Sequence, residues 1–377
     1  MNNIFDVKYI NTKNNLDLFL QNNIFIHKKL YLKNIEYKNM LNDIPYDNWK
    51  IIRSISHDYE IIGNNRIHNI SILNDYNIIS RAYYKLYEIL NTFESTLKIK
   101  EKQNMYISCL CEAPGGFIQC LRNYRKNPND MYISISKIDD EKNKIDWKVD
   151  TKNLKIVYGD GDKNNDGNLY NPIIINAYIK SHNEKVDLVT ADGGLLLDGI
   201  KENYKSNFHM NLYLSQLYIA CKVLKNNGIF ILKIYEISQK VMIDFLMLVN
   251  RLFINVKIIK PHTSRQMNNE KYLVCYNRKL NCQNIEKNIF KIIKKLWNNK
   301  DLLLTNLVST DYFNQNKFLL TVFKKTELNN LIKQNEKLKQ SVTLRYTNKD
   351  ELKNILKNRK RKHLKCAYNW LYYNNIN

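Results

Sequence analysis

The stretch Tyr106–Phe117, YISCLCEAPGGF, constrains the fold of this chain more than any other. An alternating run (Tyr106, Ile107, Cys109, Cys111) stops at Glu112, and Ala113-Pro114-Gly115-Gly116 follows at once. The pattern predicts a strand over Met105–Cys111, a tight turn, and a helix beginning at Gly116. Pro114 cannot continue a strand, and two glycines let backbone approach a neighbour or a ligand closely. Alone, the turn reads as plain structure or as the glycine turn that follows the first parallel strand of a nucleotide-binding sheet. The rest of the chain must decide.

Strands and helices alternate after this point. Short apolar runs predict strands at Met131–Ile135, Leu154–Tyr158, Val186–Ala191 and Ile229–Lys233, with a closing pair at Val256–Lys260 and Tyr272–Tyr276. Helical periodicity covers Ile173–Lys180 and Tyr213–Leu224, which stops at Asn226-Asn227-Gly228, and a further helix capped by Ser238 runs to Phe253. Apolar strands separated by helices imply an α/β fold, a mostly parallel Rossmann-like sheet covered on both faces. The last two strands are joined by a loop, Pro261–Glu270, so the last strand is expected to run antiparallel. An earlier helix, in IISRAYYKLYEILNTF, carries its apolar residues at Ile79, Ala82, Tyr83, Leu86, Ile89, Leu90 and Phe93, and leaves Lys85 off the stripe. Residues 1–78 read as an irregular extension packed on the core. Residues 280–377 read as a basic, mainly helical region, with helices at Ile289–Trp297, Glu327–Lys339 and Asp350–Lys357. Residues 79–279 lie between them as the α/β domain.

Charge narrows the partners. The chain of 377 residues carries a net +23, and residues 281–377 hold 20 Lys/Arg against 7 Asp/Glu, whereas residues 1–78 are nearly balanced at 9 and 8. Such a surplus points to a polyanion, and nucleic acid rather than membrane, since no amphipathic basic helix or long apolar span occurs. The seven cysteines include no CxxC pair, so no zinc site is expected, and Cys109 and Cys111 read as small buried residues on one strand face. The N-terminal residues lack a basic and apolar leader, which predicts an intracellular protein. The heavy use of Asn, Ile and Lys would suit a large DNA virus replicating in the cytoplasm.

Polar residues collect where strands end, the place at which open α/β sheets bind ligands. Glu112 and the glycine turn follow the first strand, Gly159-Asp160-Gly161-Asp162 the third, Asp192-Gly193-Gly194 the fourth, and Lys233 closes the fifth. Lys233 and Asp192 would face one crevice, either as a strand-end ion pair or as chemistry. In the second case desolvation is expected to lower the lysine toward a base-competent pKa.

At this point SRAYYKLYEI, CEAPGGF, VTADGG, IFILKIYE and KPHTSRQMNNEKYLVCY, in that order over Ser80–Tyr276, resemble the FtsJ/RrmJ-like RNA ribose 2′-O-methyltransferases, with a leaning to the mRNA cap-1 branch. Gln216, in LYLSQLYIA, shares that leaning. The resemblance implies S-adenosylmethionine as methyl donor, RNA (the 5′ end of capped mRNA) as substrate, and no metal. It carries a Lys-Asp-Lys-Glu set onto Lys85, Asp192, Lys233 and Glu270. Lys233 is then the general base, Lys85 lowers its pKa by repulsion and helps orient the hydroxyl, and the two acids hold the lysines in place. The same likeness sets Ala113, Pro114, Gly115 and Gly116 beneath the methionine part of the donor, with Phe117 alongside, Asp160 and Asp162 by the adenine, and Asp192 near the sulfonium. Here the chain departs from the family pattern. The strand Met131–Ile135 is followed by Ser136 and Lys137, with acids only at Asp139 and Asp140, which leaves Glu112 as a substitute for the usual ribose-binding acid. An rRNA 2′-O-methyltransferase and a catalytically idle RNA-binding subunit are the alternatives. The run RKRKHLK, Arg359–Lys365, reads as RNA surface or as a nuclear localisation signal.

Overall fold

The computed structural model describes residues 4–11, 24–63, 77–138, 146–161, 165–195 and 205–376. Its elements are β1 (Phe5–Asn11), α1 (Lys28–Asn39), α2 (Tyr46–Ser56), α3 (Ala82–Leu97), β2 (Tyr106–Leu110), α4 (Gly116–Arg125), β3 (Met131–Ile135), β4 (Leu154–Ile156), α5 (Pro172–Lys180), β5 (Val186–Ala191), α6 (Lys205–Val223), β6 (Leu224–Ile234), α7 (Lys240–Leu252), β7 (Phe253–Ile259) and β8 (Lys271–Arg278). These are followed by α8 (Gln283–Asn298), β9 (Leu302–Val308), α9 (Thr310–Gln315), α10 (Phe318–Thr343), α11 (Lys349–Asn358) and α12 (Lys360–Tyr373).

Among the described residues, seven strands form one sheet in the order β4-β3-β2-β5-β6-β8-β7. All neighbours pair in parallel except β8, which runs antiparallel to both β6 and β7. Strand β8 is therefore last in sequence but second from the edge in space. Chain order reverses between β2 and β5, which makes the gap beyond their carboxyl ends the switch-point crevice of a doubly wound sheet. Successive apolar side chains point to opposite faces and fill both. Val189, Phe230 and Leu232 face α5–α8, whereas Ile107, Cys109, Leu188 and Ile231 face α3, α4 and α12.

Local chemistry explains most boundaries. Asn171 caps α5 by accepting from Ile173 N at 3.0 Å, with Pro172 in the first turn. Ser238 is not the cap expected of it. Helix α7 begins at Lys240 after Gln239, and Ser238 Oγ instead donates to Glu327 Oε1 at 3.4 Å. Cys111 also departs from expectation. The strand ends at Leu110, and a left-handed backbone at Cys111 (φ 58°) turns its side chain to the core opposite that of Cys109.

The terminal segments are tied to the sheet and to one another. Strand β1 pairs antiparallel with β9, and Asn34 Nδ2 of α1 donates to Asn335 Oδ1 of α10 at 2.8 Å. The N-terminal residues are thus more regular than the irregular extension expected. Helix α10 is anchored by a buried ion pair, Lys271 Nζ to Glu327 Oε2 at 3.1 Å, each side chain 1% exposed. Burial and the charge of Glu327 raise the adjoining Glu236 carboxyl to about 7 from its ordinary 4.5. A raised acid favours the fold while it is protonated, so this contribution is complete below 4.5 and is lost as pH climbs through 7. Glu236→Gln is expected to stabilise the fold by up to about 3 kcal/mol near pH 8 and to change little near pH 5. Thermal unfolding at both values checks this, and an equal shift at both would contradict it.

Candidate active site

Four elements bring the carried-over set together. Strand β5 ends at Ala191, and Asp192 follows with its N–H donating to Leu110 O at 3.2 Å. Lys233 lies near the end of the neighbouring β6, and its Nζ sits 3.2 Å from Asp192 Oδ1 while donating to Asp192 O at 2.5 Å. Lys85, on α3, pairs with Glu270 at 2.8 Å, and Glu270 precedes β8. Because β8 runs against its neighbours, its start lies at the end of the sheet where the parallel strands finish. Both pairs are largely shielded from water, with Lys233 10% and Glu270 8% exposed in their side chains.

Electrostatics couple the pairs. Burial would raise the Glu270 carboxyl, but Lys85 and Lys233 pull it down to about 2. Lys233 departs from the sequence expectation. Burial does disfavour its ammonium form, yet Asp192, Tyr235 and Glu270 outweigh burial and raise its pKa above the ordinary lysine value. The lowered pKa falls instead on Lys260, brought to about 7 by burial and by Lys271.

Three supporting residues escaped sequence reasoning. Tyr272, paired across the ladder with Lys233, donates its hydroxyl to Asp192 Oδ1 at 2.9 Å. Ser264 Oγ donates to Glu270 Oε1 at 2.9 Å. Lys260 Nζ donates to Asn268 O at 2.7 Å, Asn268 Oδ1 at 3.1 Å and Glu270 O at 2.9 Å, which fixes the loop that delivers Glu270. The sole hint was their place within KPHTSRQMNNEKYLVCY, beside the glutamate.

The glycine turn is built for close approach. Gly115 has φ 110°, and a Cβ there would meet Val149 Cγ1 at 2.5 Å. At Gly116 a Cβ would fall 2.2 Å from Ser80 Oγ, so the turn and the entry to α3 press together. Ala113 N donates to Ser136 Oγ at 2.7 Å. Glu112 Oε1 accepts from Phe117 N at 2.5 Å and caps α4, and Phe117, fully buried, packs against Tyr272 with ring centroids 6.2 Å apart. Gln216 is fully buried, and its Nε2 donates to Cys111 Sγ at 3.4 Å beneath Gly193. Asp160 stands exposed after β4, four strand positions from β6. Asp162, Asp139 and Asp140 lie outside the described residues.

The donor set fits a cationic ligand. Glu112 is buried, its Oε2 has no hydrogen-bond partner, and burial together with the charge of Asp192 raises its carboxyl well above the usual range. Two acids so placed would be relieved by a positive group between them.

A sequence model described as FtsJ-like methyltransferase matches residues 78–278. The cap-specific mRNA (nucleoside-2′-O-)-methyltransferase 1 of Drosophila melanogaster is 27% identical over 244 residues, 63% of this chain and 30% of that protein. Its Xenopus laevis namesake is 24% identical over 290 residues, 72% of this chain and 33% of that protein. The chain thus spans about a third or less of the curated relatives it matches. A solved ribosomal RNA methyltransferase from Plasmodium falciparum is 25% identical, covers 53% of this chain and 97% of its own, and superposes with a TM-score of 0.39.

Proposed function

The chain belongs to the FtsJ-like methyltransferase family, and from that premise we propose that it methylates the ribose 2′-oxygen of RNA at the first transcribed nucleotide of capped mRNA. The observation that carries the reading is the coupled pair of buried lysine–carboxylate contacts, Lys85–Glu270 and Lys233–Asp192, at one end of the sheet. When bound, S-adenosylmethionine supplies a methyl group activated by a sulfonium. The turn Ala113–Gly116, Glu112 and Asp192 are the residues that would hold it, with Asp160 toward the adenine.

The chain's own task is to hold the ribose hydroxyl in line and to take its proton. Lys233 Nζ is the acceptor the site offers, once neutral. Asp192 favours the ammonium form of Lys233, and a second cation against that carboxylate would weaken its hold and lower the lysine's proton affinity. Lys85, anchored by Glu270, supplies a fixed cation and donor to orient the hydroxyl oxygen. Tyr272 and Ser264 keep the two acids aimed, so neither lysine has to reorganise during the reaction.

The direct test is transfer of labelled methyl from S-adenosylmethionine to short capped RNA, uncapped RNA and rRNA fragments by the purified full chain. Label in the ribose of the first nucleotide of the capped RNA is the expected result. Transfer to rRNA fragments alone would sink the cap reading, and RNA binding without any transfer would sink the enzymatic one.

A further inference from the structure

Helix α12 divides its residues between two opposite faces. His363, Ala367, Trp370 and Asn374 recur at spacings of four, three and four and are buried. Arg361, Lys365, Tyr368 and Tyr372 recur at the same spacings two residues earlier or later, which places them on the far side of the helix, and all four are exposed. Exposure reaches 60% at Tyr368 and 78% at Tyr372, with Tyr373 beside them at 73%. The run Arg359–Lys365 is therefore split. Arg359 and Lys362 pair with Asp58, whereas Arg361 and Lys365 lie on the side opposite the buried face.

A lysine-rich solvated face would need no aromatic rings, and exposing three tyrosines within one and a half turns costs hydration free energy that a bare basic helix avoids. From residue 352 to the end the chain has seven Lys/Arg and no Asp/Glu, so nothing on this segment repels a polyanion. The inner face sets the direction of the track. Trp370 Nε1 donates to Glu88 Oε2 at 3.0 Å, and Asn91 Nδ2 donates to Tyr373 O at 3.1 Å. Glu88 is on α3 three residues beyond Lys85, about 4.5 Å along the axis. The step from Trp370 to Tyr373 follows that from Glu88 to Asn91, so the tyrosine end of α12 leads away from Lys85, and the arginine end, held at Asp58, lies toward the start of α3, where Arg81 pairs with Glu60.

We propose that the outer face of α12, Arg361–Lys365–Tyr368–Tyr372, is a docking track for single-stranded RNA leading away from the candidate active site. Tyr368 and Tyr372 stack on bases, and Arg361 and Lys365 hold phosphates without reading sequence. The track rests on the RNA reading above for the identity of its strand, but its test uses no methyl transfer.

The probe is an uncapped, fluorescently labelled oligouridylate titrated with the full chain. Tyr368→Ala/Tyr372→Ala is expected to weaken binding at least about tenfold, through lost stacking. Arg361→Gln/Lys365→Gln should flatten the slope of log affinity against log salt by about 1.4. Lys287→Gln/Lys291→Gln, on exposed residues of α8, should leave the tyrosine-dependent binding as it is, and unchanged thermal midpoints show that each variant is folded. Unchanged affinity in the tyrosine variant, an equal loss in the α8 variant, or no binding by the parent chain overturns the proposal. A parent chain that binds in this manner yet transfers no methyl group leaves the track standing and removes the function proposed above.

Discussion

Lys233→Ala is expected to abolish methyl transfer while leaving S-adenosylmethionine binding nearly unchanged. The side chain is 10% exposed and lies 3.2 Å from Asp192 Oδ1, the acid that follows β5. Loss of a positioned general base costs about two to four orders of magnitude in rate. Donor binding should survive because Glu112 keeps its hydrogen bond from Phe117 N at 2.5 Å and Asp192 keeps the Tyr272 hydroxyl at 2.9 Å. Lys233→Arg isolates the proton from the charge. A guanidinium can still pair with Asp192 but cannot become neutral, so this variant should bind the donor and transfer nothing. The raised proton affinity of Lys233 adds a pH test. Its neutral form grows as pH rises, so the rate should climb with pH through the neutral and mildly alkaline range. Single-turnover label transfer and calorimetric titration of the donor measure both halves. An active Lys233→Arg would contradict the base role, and lost donor binding in Lys233→Ala would contradict the separation of donor holding from proton transfer.

The largest effect on stability is expected far from the chemistry, at Arg125. This side chain closes α4, the helix opened by the glycine turn, and is 1% exposed. It donates to both oxygens of Asp130, to Ile99 O, to Lys102 O at 3.2 Å and to Gln103 O at 2.7 Å. Asp130 in turn accepts from Met105 N at 2.9 Å, at the foot of β2. Arg125→Ala would strand a buried carboxylate and several carbonyls, a change that costs about 3–5 kcal/mol. Lys225→Ala removes a partner of Asp187 from a half-exposed pair and should cost less than about 1 kcal/mol. Chemical denaturation of the two variants side by side checks the contrast, and similar losses would mean that Arg125 is not the anchor described.

Most of the parallel sheet was readable because its strands are mainly short apolar runs bounded by a stop, although β6 begins at Leu224 rather than at the predicted Ile229. Val186–Ala191 agrees with its predicted limits, and Met131–Ile135 does likewise. Helices were found by period but cut short. Predicted Glu327–Lys339 is part of Phe318–Thr343, because the mostly apolar start FLLTVF carries no clear helical period and the ion pair with Lys271 is invisible to periodicity. The pairing of β1 with β9 was missed altogether, since its partners are nearly three hundred residues apart and neither end carries a turn signal. Ser238 shows the limit of cap rules, because a competing carboxylate from α10 takes its hydroxyl.

Order along the chain was enough to name Lys85, Asp192, Lys233 and Glu270, because a motif travels with its residue types. It could not supply the state of those residues. Desolvation of Lys233 was foreseeable from an apolar strand, but its sign was not, since three facing groups from β5, β6 and the loop before β8 outweigh burial. Those groups meet only because β8 inserts between β6 and β7 and runs backwards, which sets Glu270 and Tyr272 beside Lys233. Residue type and local period are properties of neighbours in sequence, and the chain carried them openly. Proton affinity depends on every charge within a few ångströms, and only the folded sheet decides which charges those are.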